Sequence, residues 1–455
     1  MIVYRILRAL GRLALRWFYR DIEVVGMERL PERGPALLAS NHPNALVDAL
    51  VIGCTLRRPV TLTAKATLLE NPVTRVLLRW AGVVPLRRAS DVRAAGSTLD
   101  PSRNAEAFAS VLDALEQGGL VLLFPEGKSH SEPGLAPLKT GLARIAVMAR
   151  TDRNLPTVPI IPVGLTFERK WDPRTRVLIH LGVPIVDDDV ASNGSDAVVS
   201  LTQRVDRGLR EVTLNFRTKD EAERVLSIST ILADVFDDFR PLGAPDPPLL
   251  ASVRVAQRIN SVVPRLHGLD SSTSSRVDGF LERLGTFEEL ARVNGIAVSD
   301  VQMSRATGPG LWFTVREIGL AVLAGPFAVW GRFNHWLPLR IARLVARKTS
   351  RLPDEPAMNT IVAGVALVLV FYVAQIALVA RWTDWRVTTI YAVTLPLSAT
   401  WDFRYADRLR RALSRVRVYL RFRREPELHH RLLDELGWLR REAVALDTLI
   451  QPAAV

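Results

Sequence analysis

The feature that most constrains this chain is the stretch from Met358 to Ala380, which is almost wholly apolar and carries no charge. A helix rises about 1.5 Å per residue, so this stretch is long enough to cross a hydrocarbon core of about 30 Å and reads as a transmembrane helix. Val387 to Trp401 is also uncharged, though shorter and interrupted by Pro396, and reads as a second, returning helix. Ile318 to Trp330 is shorter still. Extending it upstream would take Arg316 and Glu317 into lipid, at about 2.5–3.5 kcal/mol for a central arginine, so segment 318–330 is expected to be re-entrant. Basic clusters flank these segments: Arg340, Arg343, Arg347, Lys348 and Arg351 upstream, and Arg404 to Arg424 downstream. Basic loops stay cytoplasmic, which predicts a cell-membrane location with the N-terminal domain on the cytoplasmic side.

Charge points the same way. Lys and Arg number 60 against 47 Asp and Glu, a formal net charge of +13, so an anionic partner is expected. The downstream cluster starts directly after an apolar segment, and no zinc-finger spacing, RNP-like aromatic motif or basic-leucine heptad accompanies it. Anionic membrane lipid, not nucleic acid, is therefore the expected partner. The single cysteine, Cys54, rules out an intrachain disulfide and leaves too few thiols for a Cys-based zinc site. In the first twenty residues, arginines at 5, 8, 12, 16 and 20 stack on one helical face opposite Ile2, Ile6, Leu10, Leu13 and Trp17. Such a helix can lie in a membrane interface or pack on a core with its basic face in water; the absence of acids on that face favours the interface.

From Asp21 to about Val190, short apolar runs alternate with amphipathic stretches, the pattern of an α/β unit. Strands are expected at Ile22–Val25, Ala36–Ala39, Val60–Ala64, Val83–Leu86, Val121–Phe124, Ile160–Phe167 and Val177–Leu181. Helices are expected at Ala45–Cys54, Pro72–Ala81, Arg103–Gln117 and Thr140–Met148. The last two strands are separated only by a short turn around Trp171, so an antiparallel edge and a mixed sheet flanked by helices are predicted. The domain reading is an interfacial helix (1–20), an α/β domain (21–215), a helical region (216–310), membrane segments (311–402, with 318–330 re-entrant and helices at 358–380 and 387–401) and a basic cytoplasmic helical tail (403–455).

Three strings carry candidate chemistry. Ser40-Asn-His-Pro-Asn-Ala-Leu-Val-Asp48 follows a strand and puts His42 at a strand-to-helix junction, with Asp48 in the following helix. A carboxylate bonded to one ring nitrogen fixes the tautomer and leaves the other nitrogen to accept a proton, although such pairs also serve as structural bonds or helix caps. Gly82-Val-Val-Pro-Leu-Arg-Arg88 puts two arginines at a strand end, where α/β sheets collect ligands. Leu122-Leu-Phe-Pro-Glu-Gly-Lys-Ser-His130 turns sharply after another strand; its Gly127-Lys-Ser is not a P-loop tail, because Leu122 stands where that motif needs glycine. The chain has no Gly-x-Ser-x-Gly nucleophile elbow, which argues against a serine hydrolase.

In this order and spacing the strings resemble the glycerolipid acyltransferase family, over roughly residues 1 to 215. The family's Asn-His…Asp block matches Asn41, His42 and Asp48, its Gly-x-x-x-x-Arg block Gly82 to Arg87, its Phe-Pro-Glu-Gly-x-Ser block Phe124 to Ser129, and its proline-rich apolar block Val158 to Val163. Lys65 and Lys139 also fall at family positions. The first block here has five residues between His and Asp, where the common form has four, and Asn44 is an alternative orienting group. The resemblance implies an acyltransferase-like fold and transfer of an acyl group from acyl-CoA or acyl-carrier protein to a hydroxyl of glycerol 3-phosphate or lysophosphatidate. It implies His42 as base, Asp48 as its orienting partner, and Lys65, Arg87, Arg88, Glu126, Gly127, Ser129 and Lys139 around the substrates. Arg87 would bind the acceptor phosphate, and Glu126 would bond a glycerol hydroxyl or Arg87. The acyl thioester is a co-substrate, and no metal or other cofactor is expected. A catalytically silent lipid-binding adaptor of the same fold is the alternative.

Overall fold

In the computed structural model, residues 2–65, 75, 82–86, 101–155, 158–186, 195–236, 247–266, 270–303, 307–350 and 356–450 are described. They divide into two units, Met1–Asn215 with Leu339–Leu369 and Phe216–Pro338 with Val370–Val455.

The first unit runs α1 (Ile2–Phe18), β1 (Asp21–Val25), β2 (Ala36–Ser40), α2 (Leu46–Thr55), β3 (Val60–Lys65), β4 (Val84–Leu86), α3 (Pro101–Glu116), β5 (Leu120–Leu123), α4 (Gly141–Thr151), β6 (Ile160–Phe167), β7 (Arg176–Leu181) and α5 (Ser195–Val212). The helix expected at Pro72–Ala81 falls outside the described residues except for Arg75. Among the described residues the strands form a seven-stranded sheet in the order β1-β7-β6-β2-β5-β3-β4. Strand β2 pairs in parallel with both β5 and β6, and β3 pairs in parallel with both β5 and β4. Strands β6 and β7 are antiparallel, so the sheet is mixed as expected. That pair is not at the edge, however: β1 adds in parallel outside β7, with Asp21 opposite Arg176.

Parallel central strands are covered on both faces, and their residues show it. Ala36 and Leu38 of β2, with Leu120 and Leu122 of β5, point into one core with Val47, Val51 and Leu15. The alternate residues Leu37, Ala39, Val121 and Leu123 enter a second core with Val111, Leu142, Val205 and Leu209. The period-2 alternation thus buries every position of these strands.

Helix α1 packs on the core at its C-terminal end and leaves apolar residues exposed towards its N-terminus. Ala14, Leu15 and Phe18 are buried in the first core, while Ile2, Val3, Ile6 and Leu10 remain exposed. Its basic face is partly turned inward. Arg8 Nε donates to Gly53 O at 3.0 Å and Arg12 Nε to Cys54 O at 2.7 Å. Those carbonyls belong to the last turn of α2, which lacks intrahelical donors and carries the negative end of the helix dipole. The close approach needs Gly11, where a Cβ would lie 2.6 Å from Cys54 Sγ.

The second unit holds α6 (Lys219–Val235), α7 (Leu249–Leu266), α8 (Ser271–Val293) and parts of α9 (Thr307–Thr349), α10 (Pro356–Ala380) and α11 (Trp385–Arg424), and ends with α12 (Pro426–Ile450). Its core joins Leu232, Phe280 and Phe287 to Val418, Phe422, Leu432 and Leu439. The region 216–310 and the tail 403–455, expected to be separate, thus share one core, because α11 and α12 each keep an apolar face among their arginines. Segment 318–330 is also corrected: it lies inside the continuous helix α9 and makes no re-entrant reversal. The charges that argued against a longer helix neutralise one another, with Glu317 Oε1 2.8 Å from both Arg316 and Arg408. Segment 387–401 forms the start of a helix that continues to Arg424, with Pro396 inside it. By length and composition, Trp312–Thr349 and Pro356–Ala380 could each cross a membrane.

Packing at Gly164 gives a direct test of the sheet's cover. A Cβ there would sit 1.9 Å from Val212 O at the end of α5. Gly164→Ala should therefore lower stability by about 1–3 kcal/mol in denaturant unfolding. Gly285→Ala, on α8 with nothing within 4 Å of its Cβ, should be neutral or stabilise by up to about 1 kcal/mol. Equal losses at both sites would contradict this packing.

Candidate active site

Because β2, β3, β4, β5 and β6 run parallel, their C-terminal ends lie along one edge of the sheet, and the loops that leave them are neighbours. Asn41 to Ala45 leave β2 and Phe124 to Thr140 leave β5. Lys65 ends β3 and pairs with Leu86 at the end of β4. Arg87 and Arg88 follow directly but lie outside the described residues, as does the side chain of Lys65.

Asn41, His42 and Asn44 in the loop after β2 are each held by hydrogen bonds. Asn41 bridges to β6, donating from Nδ2 to Leu165 O at 3.1 Å and accepting from Leu165 N at 2.7 Å. His42 Nδ1 lies 2.9 Å from Asp48 Oδ2, and the same oxygen accepts the Asn44 N–H at 2.7 Å. Ala45, within the five-residue His-to-Asp spacing, sits at the helix N-cap with φ 45°. A non-glycine residue there costs on the order of 1–3 kcal/mol, a strain held by the surrounding bonds. Asn44 does not orient the ring: its Nδ2 donates to Lys170 O at 3.0 Å.

Asp48 is fully buried and His42 is 9% exposed. Burial pushes the Asp48 carboxyl above its ordinary pKa. The His42 hydrogen bond and charge, the Asn44 N–H and the Lys170 charge pull the other way. An ionised Asp48 accepts from Nδ1–H, which makes Nε2 the acceptor nitrogen of the ring. Phe124 stacks on that ring with centroids 3.9 Å apart and planes 14° from parallel, fixing its tilt.

Glu126 was expected to bond a glycerol hydroxyl or Arg87, which lies outside the described residues; its carboxylate is buried among main-chain groups of the two loops. Its side chain is 1% exposed. Oε1 accepts the His42 backbone N–H at 2.8 Å, while Oε2 accepts the Ala136 N–H at 2.9 Å and contacts His130 Nε2. The carboxylate therefore ties the β5 loop to the β2 loop, and the His130 N–H to His42 O bond at 3.2 Å adds a second tie. Gly127, at φ 76°, lies under the exposed Lys139, whose Nζ is 2.8 Å from where a Cβ would be. Ser129 is half-buried on the same loop. Sequence reasoning missed the clamp by Asn41, the stacking of Phe124 and the contact of His130. The first two sit inside the matched blocks, but their partners are distant in sequence. Among the described residues, no group of three or more His, Cys, Asp or Glu is placed to hold a metal ion.

The site is thus a buried His–Asp pair on the loop edge of a largely parallel sheet. Residues 21–166 match the family described as Acyltransferase. The chain is 34% identical over 117 residues to "Glycerol-3-phosphate O-acyltransferase 2" of Saccharomyces cerevisiae, covering 25% of this chain and 16% of that protein. It is 28% identical over 174 residues to "1-acyl-sn-glycerol-3-phosphate acyltransferase BAT2, chloroplastic" of Brassica napus, covering 36% and 45%. The chain thus spans less than half the length of either relative. Among solved structures, the 1-acyl-sn-glycerophosphate acyltransferase PlsC from Thermotoga maritima aligns with 20% identity and a TM-score of 0.35, covering 46% of this chain and 78% of that one. The sequence matches thus support a glycerolipid acyltransferase domain over residues 21–166.

The inward-facing Glu126 makes a stability prediction. Glu126→Leu would leave the His42 and Ala136 N–H groups without their acceptor, at about 1–3 kcal/mol for each buried donor. A lower denaturation midpoint is expected, and an unchanged midpoint would contradict the tie.

Proposed function

We propose that this protein is a membrane-bound O-acyltransferase that moves a fatty acyl group from an acyl thioester, of CoA or a carrier protein, to a hydroxyl of glycerol 3-phosphate or lysophosphatidate. The observation that carries the reading is the buried Asp48 carboxylate on His42 Nδ1, at the loop edge of a domain that matches the acyltransferase family. The acceptor hydroxyl attacks the thioester carbonyl while His42 Nε2 takes its proton. Asp48 holds the ring and stabilises the imidazolium. Collapse of the tetrahedral intermediate breaks the carbon–sulfur bond, and the imidazolium returns the proton to the departing thiolate. Arg87, with Lys65, binds the acceptor phosphate through charge-assisted bonds; Lys139 and Arg88 add positive charge for anionic substrates.

Membrane attachment is supported by α10. Its first residues, Ala357 and Ile361, are buried in the same core as Leu15 and Tyr19 of the acyltransferase unit. Its remaining length is apolar enough to continue into a bilayer. The exposed Ile2, Val3, Ile6 and Leu10 of α1 give the same unit an apolar strip for the interface. Arg340, Arg343 and Arg347 belong to this unit too, and basic residues beside a span favour the cytoplasmic side.

Purified protein in detergent should release free thiol from acyl-CoA or acyl-carrier protein when glycerol 3-phosphate or lysophosphatidate is added, with the acyl chain recovered as an ester. Tight lipid binding with neither donor giving acceptor-dependent release would favour a silent adaptor instead. Topology has its own test in a Cys54→Ser background. An impermeant thiol reagent outside intact cells should label Thr383→Cys, after α10, but neither Ser350→Cys nor Ser195→Cys. Outside labelling of Ser195→Cys would contradict a cytoplasmic acyltransferase unit.

A further inference from the structure

Resting on the role proposed for His42, we infer that His130 is a positioning residue for the reaction, acting through Glu126 on the backbone of His42. Its two ring nitrogens have distinct partners. Nδ1 accepts the Glu132 N–H at 3.3 Å. A nitrogen that accepts a hydrogen bond carries no proton, so the proton of the neutral ring is on Nε2, which faces Glu126 Oε2. His130 thus donates to a carboxylate whose other oxygen holds the His42 N–H at 2.8 Å. The His130 backbone N–H also donates to His42 O. The peptide groups on both sides of the catalytic ring are therefore held from the β5 loop, one directly by His130 and one through the carboxylate that His130 orients.

The contact matters for geometry rather than charge. His42 already has its tautomer from Asp48 and its tilt from Phe124, so what remains to be fixed is the position of the main chain that carries it. Without the His130 side chain, Glu126 keeps the His42 N–H on Oε1 and the Ala136 N–H on Oε2, so the loss removes one of three restraints on the carboxylate and loosens, without releasing, the main chain of His42. A misplacement of about 1 Å in a reacting group can cost about a hundredfold in rate. Loosening one of several constraints should cost less. His130 touches no reacting atom in this scheme, so its loss should appear in kcat and leave both KM values nearly unchanged.

Two substitutions of similar polarity separate the Glu126 contact from the local turn. In His130→Asn the amide oxygen can occupy the Nδ1 position and keep the Glu132 N–H, but the side chain is too short to reach Glu126. In His130→Gln an amide N–H reaches the Nε2 position and can donate to Glu126. We expect His130→Asn to lower kcat about tenfold, with both KM values within about twofold of wild type, and His130→Gln to restore kcat to within about threefold. Equal kcat in the Asn and Gln variants would overturn the inference, as would a loss confined to KM. His42→Ala, assayed alongside, distinguishes the two possible failures. Wild-type turnover in that variant would overturn the role of His42 and this inference with it. An inactive His42→Ala beside an unimpaired His130→Asn would overturn this inference alone.

Discussion

The site depends on the parallel pairing of β2 with β5, in which Ala39 sits opposite Leu123. That register ends both strands at the same level, so the loop carrying His42 and the loop carrying Glu126 leave side by side. Side-chain bonds then join what the ladder has aligned. Glu126 reaches across to the His42 N–H, and Asn41 reaches the other way to both main-chain groups of Leu165 on β6. Shifting β5 by one residue would reverse its inward and outward residues and separate Glu126 from His42. The same register that buries Leu38 and Val121 in opposite cores therefore determines whether the ring of His42 is held.

Several features of the site work against stability. Ala45 has a positive φ, Asp48 is fully desolvated, and Asp48 Oδ1 and Asn44 Oδ1 are buried without a hydrogen-bond partner among the described residues. Buried polar atoms left unpaired are costly, and here they cluster around one imidazole. The compensation is local: Asp48 Oδ2 has two donors and Glu126 has three, while Phe124 covers one face of the ring. In the proposed reaction, pre-organisation of this kind would supply rate by orienting the base before the acceptor arrives.

Much of this was legible in the sequence where the signal was local. Strand Ile160–Phe167 was read with its observed ends, and most of the other described strands to within a residue, because apolar runs bounded by turn residues mark them. His42 and Asp48 were recognisable from one nine-residue string. What the sequence hid depends on residues far apart in the chain. The strand outside β7 is β1, more than a hundred residues earlier, and no local pattern announces that pairing. The inward turn of Glu126 depends on the N–H of His42, 84 residues earlier, and on that of Ala136 farther along its own loop. The arginines of α1 looked like a solvated or lipid-facing stripe because the open carbonyls of α2 that receive Arg8 and Arg12 lie beyond the β1–β2 region. The length of α9 was missed because Arg316 and Glu317 seemed too costly in an apolar helix, while the second partner of Glu317, Arg408, lies on α11. Pro396 also suggested an interruption, and α11 runs through it.

The central claim is that the Asp48 carboxylate, by holding Nδ1–H, makes Nε2 of His42 the base for acyl transfer. Asp48→Asn tests this most directly, because it preserves shape while removing the charge and offering the ring an amide that can hold the wrong tautomer. Acceptor-dependent thiol release by the folded variant should fall by roughly 10³–10⁴-fold, as in other His–Asp pairs. Turnover within a few-fold of wild type, in a variant with unchanged secondary structure, would contradict the account.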